Sequence, residues 1–542
     1  MKIFSSKAIF LLGAALFSWP AFADNAVLPD PKAVVEVSLG AHAGKPVGVL
    51  SPEDAGVSED LWLGYDRDGF LEAVDMIRRL PPSPMLARMV RNALLADAIL
   101  PFGTGPDDAA IQLGRTRALL RAGMLVEASR LAQAWPEIPV REDLARTLVE
   151  AMFLAGDNDA ACLEVQAMRN VFSGSFWLKA RTVCQFLVGE GQAGMLSVEI
   201  LRDQGNEDAF LAVADAMQGE GRNVAQVDEP DALLLALMRV AGVPLLGVET
   251  RGHPVMMAAL AMSSEASPQA RLEAGLGLAG FGIWDADMLS RVLAKVSFDA
   301  REIRDVDAAT GETYGVRLLP LTFQALASKP RLGKDDDRRA ALVLRAMAQM
   351  PVVSGGVADV FRNMLAPLAP EKALSAAVEA SALFYLGQQD ELAGNWRMAL
   401  LDAGHADVAR LWPLAVLAGH ADMDGFADWR VFQQARGDVF ERGGRVLGIL
   451  EAMGQDISLP VRVRFMQMEE GQRQDPVLAA ALEMAAAKGQ QGRVILLSVR
   501  ILSKGVQAAS LADLKLVLSL LREVGLGRWA DALAREALAP LL

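Results

Sequence analysis

The chain has 542 residues, 52% of them hydrophobic, with 53 basic and 67 acidic side chains and a formal charge of −14. Such an acidic balance repels phosphate backbones and anionic lipid, and no Lys/Arg cluster makes a local exception, so nucleic-acid and membrane-surface binding are disfavoured. With 6% aromatic residues and three Tyr, the composition also argues against a membrane β-barrel, which needs aromatic girdles and alternating strands.

Residues 1–23 read as a secretory signal peptide. Lys2 and Lys7 supply the positive start, residues 8–17 the apolar run, and Ala21-Phe22-Ala23 the small residues before cleavage between Ala23 and Asp24. The run is too short for a permanent span. Processing removes two lysines and no acid, which carries the formal charge from −14 to −16. No Cys adjoins the cleavage point, so no lipid anchor is expected. The longest later apolar stretch, residues 232–248, is broken by Arg239 and Pro244 and reads as a buried helix pair rather than a span. These features predict a periplasmic protein of a Gram-negative bacterium, without membrane insertion after processing.

Residues 24–60 form an extended N-terminal segment, punctuated by Pro29, Pro31, Gly40, Gly44, Pro46, Gly48 and Pro52, with residues 33–39 as one short strand. Helical periodicity starts near Leu61 and persists almost to Leu542. Within it Gly123, Gly156 and Gly189 lie 33 residues apart, each after apolar residues and each followed five positions on by Ala128, Ala161 or Gly194. Glycine ends one helix in a left-handed conformation, a tight turn follows, and the small residue lets the second helix approach closely. Gly387, Gly419, Gly454, Gly489 and Gly525 echo this spacing towards the C-terminus.

A 33- to 36-residue helix–turn–helix period resembles the tetratricopeptide repeat in degenerate form, over residues 110–220 and 375–542. Its consensus aromatic and glycine positions are not reproduced here. The stretches Leu61-Trp62-Leu63-Gly64 and Trp177 to Cys184, with the ending Leu521-Arg522-Glu523-Val524-Gly525-Leu526, also resemble a group of exported α-helical repeat proteins of alphaproteobacteria. That resemblance implies no activity.

The rhythm breaks over residues 298–339, which contain a Thr310-Gly311-Glu312-Thr313-Tyr314-Gly315 turn and the run Asp335-Asp336-Asp337. This stretch is read as a joint between a repeat array over 61–297 and a second over 340–542, the aspartates capping the next helix at its positive end. Cys162 and Cys184 are the two cysteines. Their midpoint is position 173, inside the Ser173-Gly174-Ser175 turn, so in an antiparallel hairpin both lie at one height, roughly 16 Å from the turn. A structural disulfide is the expectation in an oxidising compartment. Two separately buried thiols are the alternative, and a redox pair fits less well because such pairs usually sit two residues apart.

Motifs for chemistry are sparse. Gly275-Leu276-Gly277-Leu278-Ala279-Gly280 matches a dinucleotide-binding pattern, but helical sequence stands where a strand is required. His42, His253, His405 and His420 lack metal-ligand spacing, although Gly-His-Ala-Asp occurs at both 404 and 419. No Gly-x-Ser-x-Gly is present. The Glu-Ser pair typical of lytic transglycosylases is missing, and Glu469 and Glu470 are adjacent, hence about 100° apart on a helix. The tryptophans beyond the signal peptide are spread out and read first as core. No catalytic, metal or cofactor-binding residue is therefore assigned, and no cofactor is expected. The expected architecture is an all-α solenoid of helical hairpins whose curved face binds. Its expected work is that of a non-enzymatic periplasmic scaffold or adaptor for envelope proteins. A cell-wall-acting enzyme and a chaperone-like holder of exported chains are the alternatives.

Overall fold

Helices dominate because their ends are well specified. Ser83, Asp231, Ser267, Asp285 and Ser510 each accept a hydrogen bond from a first-turn N–H of the helix they precede, and Pro84 and Pro268 then open helices as first residues. The computed structural model describes residues 48–542 other than 78–79, 105–108, 135–140, 206–208, 218–229, 244–252, 265, 329–334, 351–352, 435–438 and 466–474. All of these lie in the unit His42–Leu542. The signal peptide, its Ala23/Asp24 cleavage point and the strand at 33–39 lie outside the described residues. Among the described residues the fold is all-α; the sole extended pairings are isolated bridges between Leu50 and Ala96 and between Asp66 and Phe102. Of the segment expected to be extended, the described part carries the short helix Pro52–Ala55.

The three glycines at 33-residue spacing behave alike. Gly123, Gly156 and Gly189 take φ of 79°, 75° and 82°, and each ends a helix. The small residues that follow, Ala128, Ala161 and Gly194, are buried against the partner helix. At Gly194 an added Cβ would meet the Phe186 ring at 2.8 Å. Gly387 departs from the pattern. Its φ is −87°, and Gln388 adopts the positive φ instead. Gly387 is small for another reason: a Cβ there would lie 2.6 Å from Nε of Arg362.

Buried arginines close other helix ends. Arg115 donates through Nε to Leu94 O (2.7 Å) and through Nη2 to Ala96 O (2.8 Å). Arg239 donates to Phe153 O (2.6 Å), Leu154 O (3.2 Å) and Ala259 O (2.7 Å). Arg362 donates to Leu383 O (3.0 Å) and Arg535 to Tyr385 O (2.7 Å). The final carbonyls of a helix lack internal partners and carry its negative dipole end, so a guanidinium fork satisfies several at once. Burial pushes the pKa of Arg115, Arg239 and Arg362 down to about 10, leaving each a cation at neutral pH. Arg239 thus explains the break in the apolar run at 232–248, whose described helix, Ala232–Val240, packs on Glu142–Ala155. No helix among the described residues is long and apolar enough to cross a membrane.

The described residues of 298–339 form short helices that are tied down. The helices Ala300–Arg304 and Leu318–Ala327 pack together, and the second packs on Asp336–Met347. Asp335 caps that last helix through Arg338 N, as the aspartate run suggests. Arg338 pairs with Asp307, and Arg345 donates to Asp307 O (2.6 Å) and Ala309 O (3.0 Å).

Contacts also run between the two ends of this unit. The helix Pro84–Leu95 packs on Gln491–Ile501 and Gly527–Leu538, some four hundred residues away in sequence. Ser58 N donates to Gln491 Oε1 (2.9 Å), Gly492 N to Leu61 O (2.8 Å), and Trp529 Nε1 to Gly56 O (3.1 Å). A ladder of repeats that touch only their neighbours would lack such contacts. Trp62 is packed under Gly492, where an added Cβ would approach its ring to 2.6 Å.

Candidate functional site

Cys162 lies on the helix Asn158–Ala167 and Cys184 on Ser175–Leu187. The hairpin sets them at equal height, with Cα atoms 5.6 Å apart and the sulfurs at disulfide distance, 2.06 Å. Below the turn, Trp177 stacks on Phe172 at 5.3 Å, and its indole N–H donates to Glu142 (3.0 Å). The outer face of this region is unusually apolar. Leu163, Val188 and Leu196 are 73%, 69% and 65% exposed, and Val171 and Ile200 are exposed as well. Leu196 and Ile200, four apart on the helix Gly191–Asp203, share one face. Sequence periodicity marks such helices as amphipathic but does not show which apolar residues find no partner.

The helix Pro84–Leu95 carries a network of charged groups. Arg88 pairs with Asp359 (3.0 Å), which also meets Arg362. From the C-terminal helix, the Glu536 carboxylate accepts hydrogen bonds from Ser83 Oγ and Met85 N, both 3.0 Å, and so sits at the positive end of Pro84–Leu95. Burial dominates its titration and pushes the carboxyl up to about 7, against the opposing pull of these donors and Arg88. Glu127, beside Arg91, is likewise raised chiefly by burial. Residues 88, 359 and 536 share no local motif, so sequence inspection had no signal for this cluster.

The histidines go to separate places. His420 Nδ1 lies 2.9 Å from the Tyr385 hydroxyl, whose pKa burial raises to about 12, and its ring rests against Gly394. His405 accepts from Asp407 N (3.4 Å) at the start of a 3-10 turn. The repeated Gly-His-Ala-Asp is thus two helix endings, with Gly404 and Gly419 both at positive φ. His253 precedes the helix Pro254–Met262, and His42 lies outside the described residues. Among the described residues no group of three His, Cys, Asp or Glu side chains could hold a metal ion. Gly275 to Gly280 lies inside the helix Pro268–Gly280, with Gly275 against Trp284 and Gly277 under Met257. Close helix contact, not phosphate binding, accounts for these glycines. Trp396, Trp412 and Trp429 are buried and pack the core; Trp135, Glu469 and Glu470 lie outside the described residues. An open depression of about 640 Å³ bears Arg117, Glu142, Asp143, Arg146 and Glu150, in which Arg146 already pairs with Glu150 at 3.0 Å.

Compared with known proteins, the chain matches no family model, no curated protein and no solved structure.

Proposed function

We propose that this chain is an exported, periplasmic, non-enzymatic scaffold that binds envelope proteins through the surface of its helical hairpins. One observation carries the reading: large apolar side chains stand exposed on the hairpins that Cys162 and Cys184 join. Apolar groups that a chain leaves in water on a pinned scaffold are the raw material of a protein interface. The absence of transmembrane-length helices among the described residues is compatible with export, and an oxidising compartment would keep the cysteine pair bonded.

The test is crosslinking in living cells with a tagged chain, followed by mass spectrometry. A few envelope proteins recovered at high occupancy, and lost in a Leu163→Ser/Leu196→Ser double variant, are the expected result. Recovery of many unfolded exported chains would replace the scaffold with a chaperone-like holder. Cell-wall digestion by the purified protein would replace it with an enzyme.

A further inference from the structure

On the helix Gln491–Ile501, Arg493, Leu496, Leu497 and Arg500 follow the i, i+3, i+4, i+7 pattern and therefore share one face. That helix borders a groove of about 490 Å³, lined by Leu496 and Leu497 together with Ala73, Met76, Ile77 and Leu478. The volume falls within the range of about 300–1,000 Å³ usual for small-ligand sites. The two arginines flank the leucines, separated along the helix by roughly 10 Å.

Neither arginine forms an ion pair among the described residues. Arg493 stacks over the Tyr65 ring at 4.7 Å, and exposed Arg500 donates to the thioether sulfur of Met76 at 3.4 Å, a weak acceptor. Among the described lining residues the one carboxylate is Asp475, whose Oδ1 accepts from Val477 N and Leu478 N, both at 3.0 Å, as the cap of its own helix. In a chain with a formal charge of −14, a largely apolar groove whose Arg500 guanidinium meets only a thioether sulfur among the described residues selects for anions with apolar bodies. Helix backbone bonds internally, so these walls offer no strand edge to an extended peptide.

We propose that this groove binds a free, single-chain anionic amphiphile, its hydrocarbon chain over Leu496 and Leu497 and its anionic head on Arg500. Arg500 supplies charge-assisted hydrogen bonds that a sulfur acceptor does not reward, and the leucines supply non-directional burial.

The experiment titrates the full mature chain with monomeric cis-parinaric acid and follows its fluorescence. Saturable binding of one probe per chain is expected. Arg500→Glu, a change at an exposed position, should weaken it at least about tenfold, and the methyl ester of the probe should bind the unaltered chain about tenfold less tightly. Leu497→Asp should abolish binding while circular dichroism stays unchanged. Absence of saturable binding, or equal affinity in Arg500→Glu, overturns the proposal. So does association with phosphatidylglycerol vesicles without uptake of the monomeric probe, which would make this face a membrane contact.

Discussion

The hairpins over residues 142–203 and the junction at which Pro84–Leu95, Gly355–Leu365, Ala377–Leu386 and the C-terminal helix Gly527–Leu538 meet solve the same problem by opposite means. In the hairpins, partners are near in sequence: Cys162 and Cys184 are 22 residues apart and straddle one turn. At the junction, partners are 145 to 453 residues apart, and polar and charged side chains do the joining: Glu536 on Ser83 and Met85, Arg88 on Asp359, and Arg535 on Tyr385 and Asp390. A covalent link stabilises mainly by restricting the unfolded chain, whereas a buried ionic link depends on complete partnering in the folded one. The first therefore tolerates change around it, and the second does not.

The largest expected effect follows from breaking the junction. Arg535 is nearly fully buried and meets Tyr385 O, Asp390 and Asp531. Arg535→Met removes the buried cation, strands the Tyr385 carbonyl and leaves Asp390 without its guanidinium, while Asp531 keeps Gln388, so urea unfolding should show a loss of about 3–5 kcal/mol. A loss below about 1 kcal/mol would mean that water replaces these contacts freely and that the junction is loose. Next in size is the hairpin link. Free-thiol labelling of the denatured, unreduced chain should find no reactive cysteine. Cys162→Ala/Cys184→Ala should then lower stability by about 3 kcal/mol, the chain-entropy value for a loop of this size. Two reactive thiols in the first measurement would remove the covalent half of the comparison.

These two regions also differ in how legible they are from sequence. The all-α class, the helix endings at Gly123, Gly156 and Gly189 and the equal height of the two cysteines follow from local rules: composition, left-handed glycine and the midpoint of a turn. Distant partners obey no such rule. Nothing local in Arg239 says that its guanidinium will satisfy Phe153, Leu154 and Ala259, and in the sequence it reads as an interruption of an apolar run. Glycine misleads in the opposite direction: Gly387 fits the periodic grid, but the left-handed residue is Gln388. The exposed leucines near the cysteine pair are hidden for a third reason. Apolar residues at helical spacing are usually core, and only the packed chain reveals which of them lack a neighbour.

A smaller effect separates the regions by pH. The Glu536 carboxyl titrates near 7 in the folded chain and near 4.5 as a free side chain. Its folded value is the raised one, so the folded state holds the proton more tightly. The stability it contributes is full below about 4.5 and is lost as pH rises through about 7, an effect of about 1–3 kcal/mol. Glu536→Gln keeps an acceptor for Ser83 and Met85 but cannot ionise. It should leave stability at pH 4.5 nearly unchanged, exceed the unaltered chain at pH 8, and flatten the slope between. An unchanged slope in urea unfolding across that range would show that solvent reaches the carboxylate.

The smallest effect on stability should carry the largest effect on binding. Leu196 and Ile200 share an exposed face of Gly191–Asp203 and therefore contribute little to the core. Leu196→Ser/Ile200→Ser should shift unfolding by no more than about 0.5 kcal/mol, the usual range for surface changes. If the cysteine-linked hairpins are the docking face, the same variant should lose its crosslinked partners while Arg535→Met, still folded in mild conditions, retains them. The reverse pattern would move the interface to the junction. A loss in both would mean that the partner needs the two regions held together, which would make the ionic contacts part of the binding surface's support.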